Sequence, residues 1–181
     1  MGRKALALFE LERLEEALQT LDQSLSIRSR DYWSWGLRGR VQLKLKRIHD
    51  AVADFGRALK INSKDYWSWN NRAIAFNYLH RYEKALSDSK KAIEIAPQIY
   101  NSWGVMGNTL NSLGRYDEAI AAFDRALAMA PDTYWNWYRR GLAKEKLGRY
   151  GEAMSDYQRA LQLKPNYPEA KKSRERLFNK I

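Results

Sequence analysis

The sequence predicts an all-α fold, a solenoid of antiparallel helix pairs, and three observations predict it. Sliding the 181-residue chain against itself by 34 positions aligns leucine at 45, 79, 113 and 147, arginine at 47, 81, 115 and 149, and alanine at 51, 85, 119 and 153. A second alanine series recurs at 58, 92, 126 and 160. The stretches Asp31–Trp35, Asp65–Trp69, Ile99–Trp103 and Thr133–Trp137 fall in the same register, the first two identical as DYWSW. A fixed period of this length, with small residues set into two apolar helices per period, marks helical hairpins that bury their apolar faces only by stacking on neighbours.

Residues 1–31 read as a truncated repeat whose first helix begins midway, with Leu11, Leu14, Ala17, Leu21 and Leu25 on core positions. Such a start suggests a fragment of a longer chain and an apolar N-terminal end able to drive self-association. Four complete repeats follow at 32–65, 66–99, 100–133 and 134–167, counted from Tyr32, Tyr66, Tyr100 and Tyr134. Position 8 is Gly39, Ala73, Gly107 and Gly141, small enough for close helix approach, and position 24 is Phe55, Ser89, Phe123 and Tyr157. Ser89 in place of an aromatic predicts a looser second repeat unless Phe76 or Tyr78 fills the gap. Gln42 and Lys144 similarly replace an aromatic at position 11 and weaken local packing. Gly114 and Gly148 supply turns between helices. Position 32 is Ser63, Pro97, Pro131 and Pro165, and the prolines are expected to stop the second helix. Residues 168–181 form a charged capping helix without a partner, and the whole reads as one continuous solenoid domain.

The pattern W-x2-L-G-x2-Y followed by A, F, A and P at these spacings resembles the tetratricopeptide repeat family. The resemblance runs through four repeats in register and implies a right-handed superhelix. It also implies that positions 2, 5, 6, 9, 12 and 13 of each first helix face a concave groove. Position 2 is then Trp33, Trp67, Asn101 and Trp135, while positions 5 and 6 include Gly36, Leu37, Asn70, Asn71, Tyr138 and Arg139. Positions 9, 12 and 13 bring Arg40, Lys44, Asn77, Asn108 and Asn111 to the same face. Asparagine is a poor helix former, so Asn70, Asn71, Asn77, Asn101, Asn108 and Asn111 on two successive first helices suggest amides that read a peptide backbone, or ones that cap and bridge helices. The chaperone-tail members of the family pair a lysine at position 5 with an asparagine at position 9. No repeat here combines them, so that ligand is not expected.

Where position 7 carries Arg38, Arg72 and Arg140, position 23 carries Asp54, Asp88 and Asp156; in the third repeat both charges are gone, as Met106 and Ala122. Hairpin geometry predicts the bridges Arg38–Asp54, Arg72–Asp88 and Arg140–Asp156, alongside or instead of bonds from those aspartates to Arg57, Lys91 and Arg159 three residues on. The doubled tryptophans divide between two surfaces. At about 100° per residue Trp33 and Trp35 cannot face the same way. Trp35, Trp69, Trp103 and Trp137 are assigned to the core, and Trp33, Trp67 and Trp135 to the groove or to the seam with the preceding repeat.

The formal charge is +11, with the excess in residues 32–65 and 134–181 around a near-neutral middle. Arg40, Lys44, Arg139 and Lys146 place cations at both ends of the groove, which favours an acidic ligand. No cysteine is present, and the two histidines, His49 and His80, lie at inter-helix turns without a second ligand at metal spacing. No catalytic constellation, phosphate loop, leader or membrane span is recognised, and no cofactor is expected. The chain is read as a cytoplasmic, non-enzymatic scaffold holding a protein or peptide. The alternatives are a solenoid for RNA or single-stranded nucleic acid, which basic and aromatic residues also suit, and a self-assembly module.

Overall fold

A computed structural model describes residues 2–179, and these form helices, turns and no strands. The chain divides into two compact units, Met1–Ile95 and Ala96–Ile181. The first holds α1 (Gly2–Glu10), α2 (Leu14–Ile27), α3 (Tyr32–Lys44), α4 (Ile48–Ile61), α5 (Tyr66–Tyr78) and α6 (Tyr82–Ile95). The second holds α7 (Tyr100–Ser112), α8 (Tyr116–Met129), α9 (Tyr134–Lys146), α10 (Tyr150–Leu163) and α11 (Pro168–Phe178). Every complete repeat is one hairpin, and its two helices pack on each other more extensively than on any neighbour. No helix among the described residues is long and apolar enough to cross a membrane.

The small residues sit where the period placed them. Ala51, Ala58, Ala85, Ala92, Ala119, Ala126, Ala153 and Ala160 are all fully buried. In three repeats the position-24 ring lies directly on the position-8 glycine. A methyl built at Gly39 or Gly107 comes within 2.9 Å of the Phe55 or Phe123 ring, and one at Gly141 within 2.7 Å of Tyr157. In the second repeat the fully buried Ala73 and Ser89 replace that couple, the alanine methyl taking part of the space the ring leaves. Phe76 is buried there too, whereas Tyr78 points out; the Ser89 hydroxyl donates to the Leu86 carbonyl within its own helix.

Helix ends need less from proline than expected. The second helices before Pro97, Pro131 and Pro165 stop at the same register as α4, where Ser63 stands instead and Asn62 Oδ1 accepts the Lys64 amide. Asp31 and Asp65 cap α3 and α5 by accepting the amides of Trp33 and Ser68, and Ser34 Oγ donates to Asp31 at 2.6 Å. The turn between helices requires a left-handed residue. Gly114 and Gly148 supply it at φ +74°, but Glu12, Lys46 and His80 adopt φ of 58°, 62° and 55° in the same place.

All three bridges form. Arg38 Nη1 donates to both Asp54 oxygens at 2.8 and 2.9 Å, Arg72 to both Asp88 oxygens at 2.7 and 2.9 Å, and Arg140 to both Asp156 oxygens at 2.9 and 2.7 Å. The bond three residues along joins only the first, through Arg57 at 3.3 Å; Lys91 turns instead to Glu94 and Arg159 to Gln162. Arg38 and Arg140 also reach back to Asp22 and Asp124 on the preceding second helix. Burial pushes the Asp54 carboxyl up to about 6, against the pull of Arg38 and Arg57, and raises Asp88 against Arg72. Lys144 is not a packing defect: nearly buried, its ammonium lies 3.0 Å from Asp156.

Two core assignments are corrected. Leu11 is 68% exposed, because α1 ends at Glu10 and Leu11 opens the turn. The position-4 tryptophans are half-buried rather than central. Their indole N–H groups reach the inter-repeat turn, donating to the carbonyls of Ser29, Ser63, Pro97 and Pro131 at 2.8 to 2.9 Å, so each ring clamps a turn with one edge toward solvent. In the repeats that carry it, the position-7 guanidinium lies over this ring, at 5.6 Å for Arg38, 4.7 Å for Arg72 and 4.6 Å for Arg140.

Candidate peptide-binding surface

In the first unit, α1, α3 and α5 are the first helices of successive repeats and pack side by side. Between them opens a cleft of about 360 Å³ whose lining includes Leu6, Trp33, Gly36, Leu37, Arg40 and Trp67, with Tyr32, Asp65 and Tyr66 at the helix N-termini. Those six are the position-2, 5, 6 and 9 side chains, Leu6 being position 9 of the truncated repeat. Two seams shape the cleft. A methyl at Gly2 would come within 2.8 Å of the Trp33 ring, and one at Gly36 within 3.1 Å of the Trp67 ring. Trp67 also meets Phe55 edge-on at 6.3 Å. The position-2 tryptophans therefore serve seam and cleft together: each lies on a neighbouring glycine and leaves part of its ring in the wall.

Arg40 extends from α3 into this cleft. Its guanidinium lies 4.7 Å from the Phe9 ring centroid of α1 and 5.8 Å from that of Trp67 on α5. Lys44 lies outside the lining and pairs with Glu12 at 3.1 Å. Asn70 is buried, and Asn71 turns its amide back to the Trp67 carbonyl of its own helix at 2.8 Å. Asn77 is half-buried.

The second unit repeats the seam with different chemistry. The Trp135 ring covers Gly104, where no methyl could be placed. Asn111 Nδ2 donates to the Arg139 carbonyl at 3.0 Å and ties α7 to α9, while the Arg139 side chain is exposed. Asn101 and Asn108 are half-buried on α7. Tyr138 packs against Tyr157 at 5.8 Å with the rings tilted by 40°, and meets Tyr167 edge-on at 5.1 Å. Burial, followed by its bond to Glu145, raises the Tyr157 hydroxyl, and burial also pushes Tyr167 up to about 12. Glu145 accepts from Tyr157 at 2.6 Å and from Arg176 of α11 at 2.8 Å, so this position-12 carboxylate is consumed by the cap. The amide oxygens of Asn70, Asn108 and Asn111 are buried without a donor among the described residues.

Sequence reasoning missed Leu6, Phe9, Tyr32 and Tyr66. Leu6 and Phe9 were accessible by carrying the 34-residue register back into the truncated repeat, where they take positions 9 and 12; that Phe9 meets Arg40 was not.

Comparisons with known proteins agree with this geometry. Profiles of the tetratricopeptide repeat family match residues 109–177, 64–132, and 1–31 with 34–65. No curated protein matches the sequence. Among solved structures, the chain is similar to TTC0263, a thermophilic TPR protein of Thermus thermophilus. That pair is 23% identical, with 97% of this chain and 96% of that one covered and a TM-score of 0.79. It is similar to YrrB, described as a TPR protein with an unusual peptide-binding site, at 20% identity, 94% and 88% coverage and a TM-score of 0.77. It also resembles a MamA fragment from Desulfovibrio magneticus RS-1, at 16% identity, 90% and 92% coverage and a TM-score of 0.80. Helix hairpins at a 34-residue period, glycines under aromatic rings and profile matches along nearly the whole chain lead to one assignment: this chain belongs to the tetratricopeptide repeat family.

Proposed function

We propose that the chain is a protein-interaction scaffold that holds an extended peptide or partner segment on its first helices. The observation that carries this reading is the α1–α3–α5 cleft, where Leu6, Trp33, Leu37, Arg40 and Trp67 converge from three repeats on one concave site. Its largely apolar and aromatic lining suits peptide side chains, and its open rim suits a chain that enters and leaves. In the second unit, Asn101, Asn108, Asn111, Trp135, Tyr138 and Arg139 are the corresponding candidates. There the half-buried amides of Asn101 and Asn108 on α7 are the groups suited to pair with a peptide backbone. Peptide binding in YrrB supports the reading by analogy of fold alone.

The test is selection of binders from a displayed random-peptide library on the intact chain, followed by titration against two variants. Selected peptides are expected to lose at least about tenfold in affinity toward Leu6→Gln/Tyr66→Ser or toward Asn108→Ala, a difference of about 1.4 kcal/mol. Peptides that bind wild type and both variants equally would place the ligand elsewhere.

A further inference from the structure

We propose that the α1–α3–α5 cleft takes a proline-rich partner segment in the polyproline II conformation, whose carbonyls accept from the indole N–H groups of Trp33 and Trp67. This rests on the peptide-binding reading above and specifies its ligand. The two rings meet their seams by the same edge: a methyl on Gly2 would come within 3.4 Å of Cζ3 and Cε3 of Trp33, and one on Gly36 within 3.6 Å of the same two atoms of Trp67. Nε1 lies on the opposite edge of an indole, so both N–H groups are turned away from the packed seam. Neither donates to an acceptor among the described residues, whereas the four position-4 indoles all donate to turn carbonyls. Trp33 is 41% exposed and Trp67 half-buried, so these cleft-lining rings have both a face and a donor edge to offer a ligand.

The rest of the lining is rich in donors and poor in acceptors. The Arg40 guanidinium, between the Phe9 and Trp67 rings, and the hydroxyls of Tyr32 and Tyr66 can all donate. The Asp65 carboxylate already accepts the Ser68 amide. An ordinary peptide brings an N–H for every C=O, and a donor left without an acceptor is costly to bury. A proline brings only the C=O, and polyproline II has no internal hydrogen bond to occupy it. Its pyrrolidine rings are compact apolar faces suited to Trp and Tyr, and its backbone is stiff before binding, which lowers the cost of ordering it. Donor edges beside aromatic faces are therefore complementary in charge and shape to this ligand and mismatched to other extended chains.

Fluorescein-labelled peptides with pentaproline or pentaalanine between identical Gly-Ser flanks provide the test, read by fluorescence polarisation on the intact chain. The proline probe is expected to bind at least about tenfold tighter than the alanine probe. That preference should vanish in Trp33→Phe/Trp67→Phe, which keeps the aromatic faces and removes both N–H groups. Trp135→Phe, the same change over Gly104 on α9, should retain it, with circular dichroism confirming that both variants keep the helical signal. In 15N-labelled wild type, the indole protons of Trp33 and Trp67 should move downfield on saturation with the proline probe. Equal binding of the two probes, a preference that persists in the double variant or is lost equally in Trp135→Phe, unmoved indole protons, or no binding of either probe while library-selected peptides still bind, would each overturn the proline assignment and leave the scaffold reading standing. Failure of library-selected peptides as well would remove the scaffold reading itself.

Discussion

Phe55, Phe123 and Tyr157 each lie on a glycine across their hairpin, whereas Ser89 lies opposite an alanine, so positions 8 and 24 behave as one volume shared by two residues. Overfilling such a site costs about 1–3 kcal/mol, while volume-conserving exchange costs less. Ser89→Phe is therefore expected to destabilise by about that amount in urea unfolding, and Ala73→Gly/Ser89→Phe to recover most of it; additive losses would show that the two side chains do not share space. The sequence displayed each position as small or aromatic, but Ser89 read as a gap because the compensating methyl is visible only when both sites are compared. Asp54 gives a second prediction at this scale. Its folded pKa of about 6 lies above the ordinary 3.8, so folding takes up a proton between those values. The stability it contributes is full below about pH 4 and is lost as pH rises through about 6. Asp54→Asn should flatten the fall in unfolding free energy between about pH 4 and pH 7, read as slope so that the loss of the Arg38 bridge does not confound it.

Within each hairpin, the arginine–aspartate bridge behaves as a unit that is present or absent together. Removing one partner of a buried pair costs about 3–5 kcal/mol, but replacing both is often close to neutral. Arg72→Met alone should thus be severely destabilising, since it leaves the buried Asp88 without its guanidinium. Arg72→Met/Asp88→Ala, which copies the Met106 and Ala122 couple of the third repeat, should regain most of the loss in the same urea titration. These bridges were legible because both residues vary together down the repeats. The bonds from Arg38 to Asp22 and Arg140 to Asp124 were not, because the position that carries Asp22 and Asp124 holds Gly56 ahead of Arg72, so no repeating pattern marks it. The turns carry another element-scale prediction. Lys46 holds φ 62° where the third and fourth repeats use glycine, a conformation costing an L-residue roughly 1–2 kcal/mol. Lys46→Gly is expected to stabilise by up to about 1 kcal/mol, the net after glycine's larger loss of chain entropy. A lower unfolding midpoint in the variant would mean that the Lys46 contact with the Tyr78 ring outweighs the backbone strain.

Across the whole molecule, one period fixes the fold. Repetition exposed the alanine, tryptophan and bridge positions without coordinates, since each recurs at the same spacing. It exposed the cleft only in part: Trp33, Arg40 and Trp67 followed from the family's groove positions, while the α1 wall lies in the repeat that the period covers least well. Of the asparagines assigned to the groove, Asn71 and Asn111 each donate to a backbone carbonyl of the fold, of Trp67 and Arg139, a pairing that repetition alone does not display. The seven tryptophans allow the central claim, that ligand binds on the first-helix face, to be read in one experiment. In a 15N-labelled sample titrated with a library-selected peptide, the indole N–H signals of Trp33 and Trp67 are predicted to shift, while those of Trp35, Trp69, Trp103 and Trp137, each bonded to a turn carbonyl, stay in place. Movement of the turn-bonded set with Trp33 and Trp67 unchanged would contradict the account.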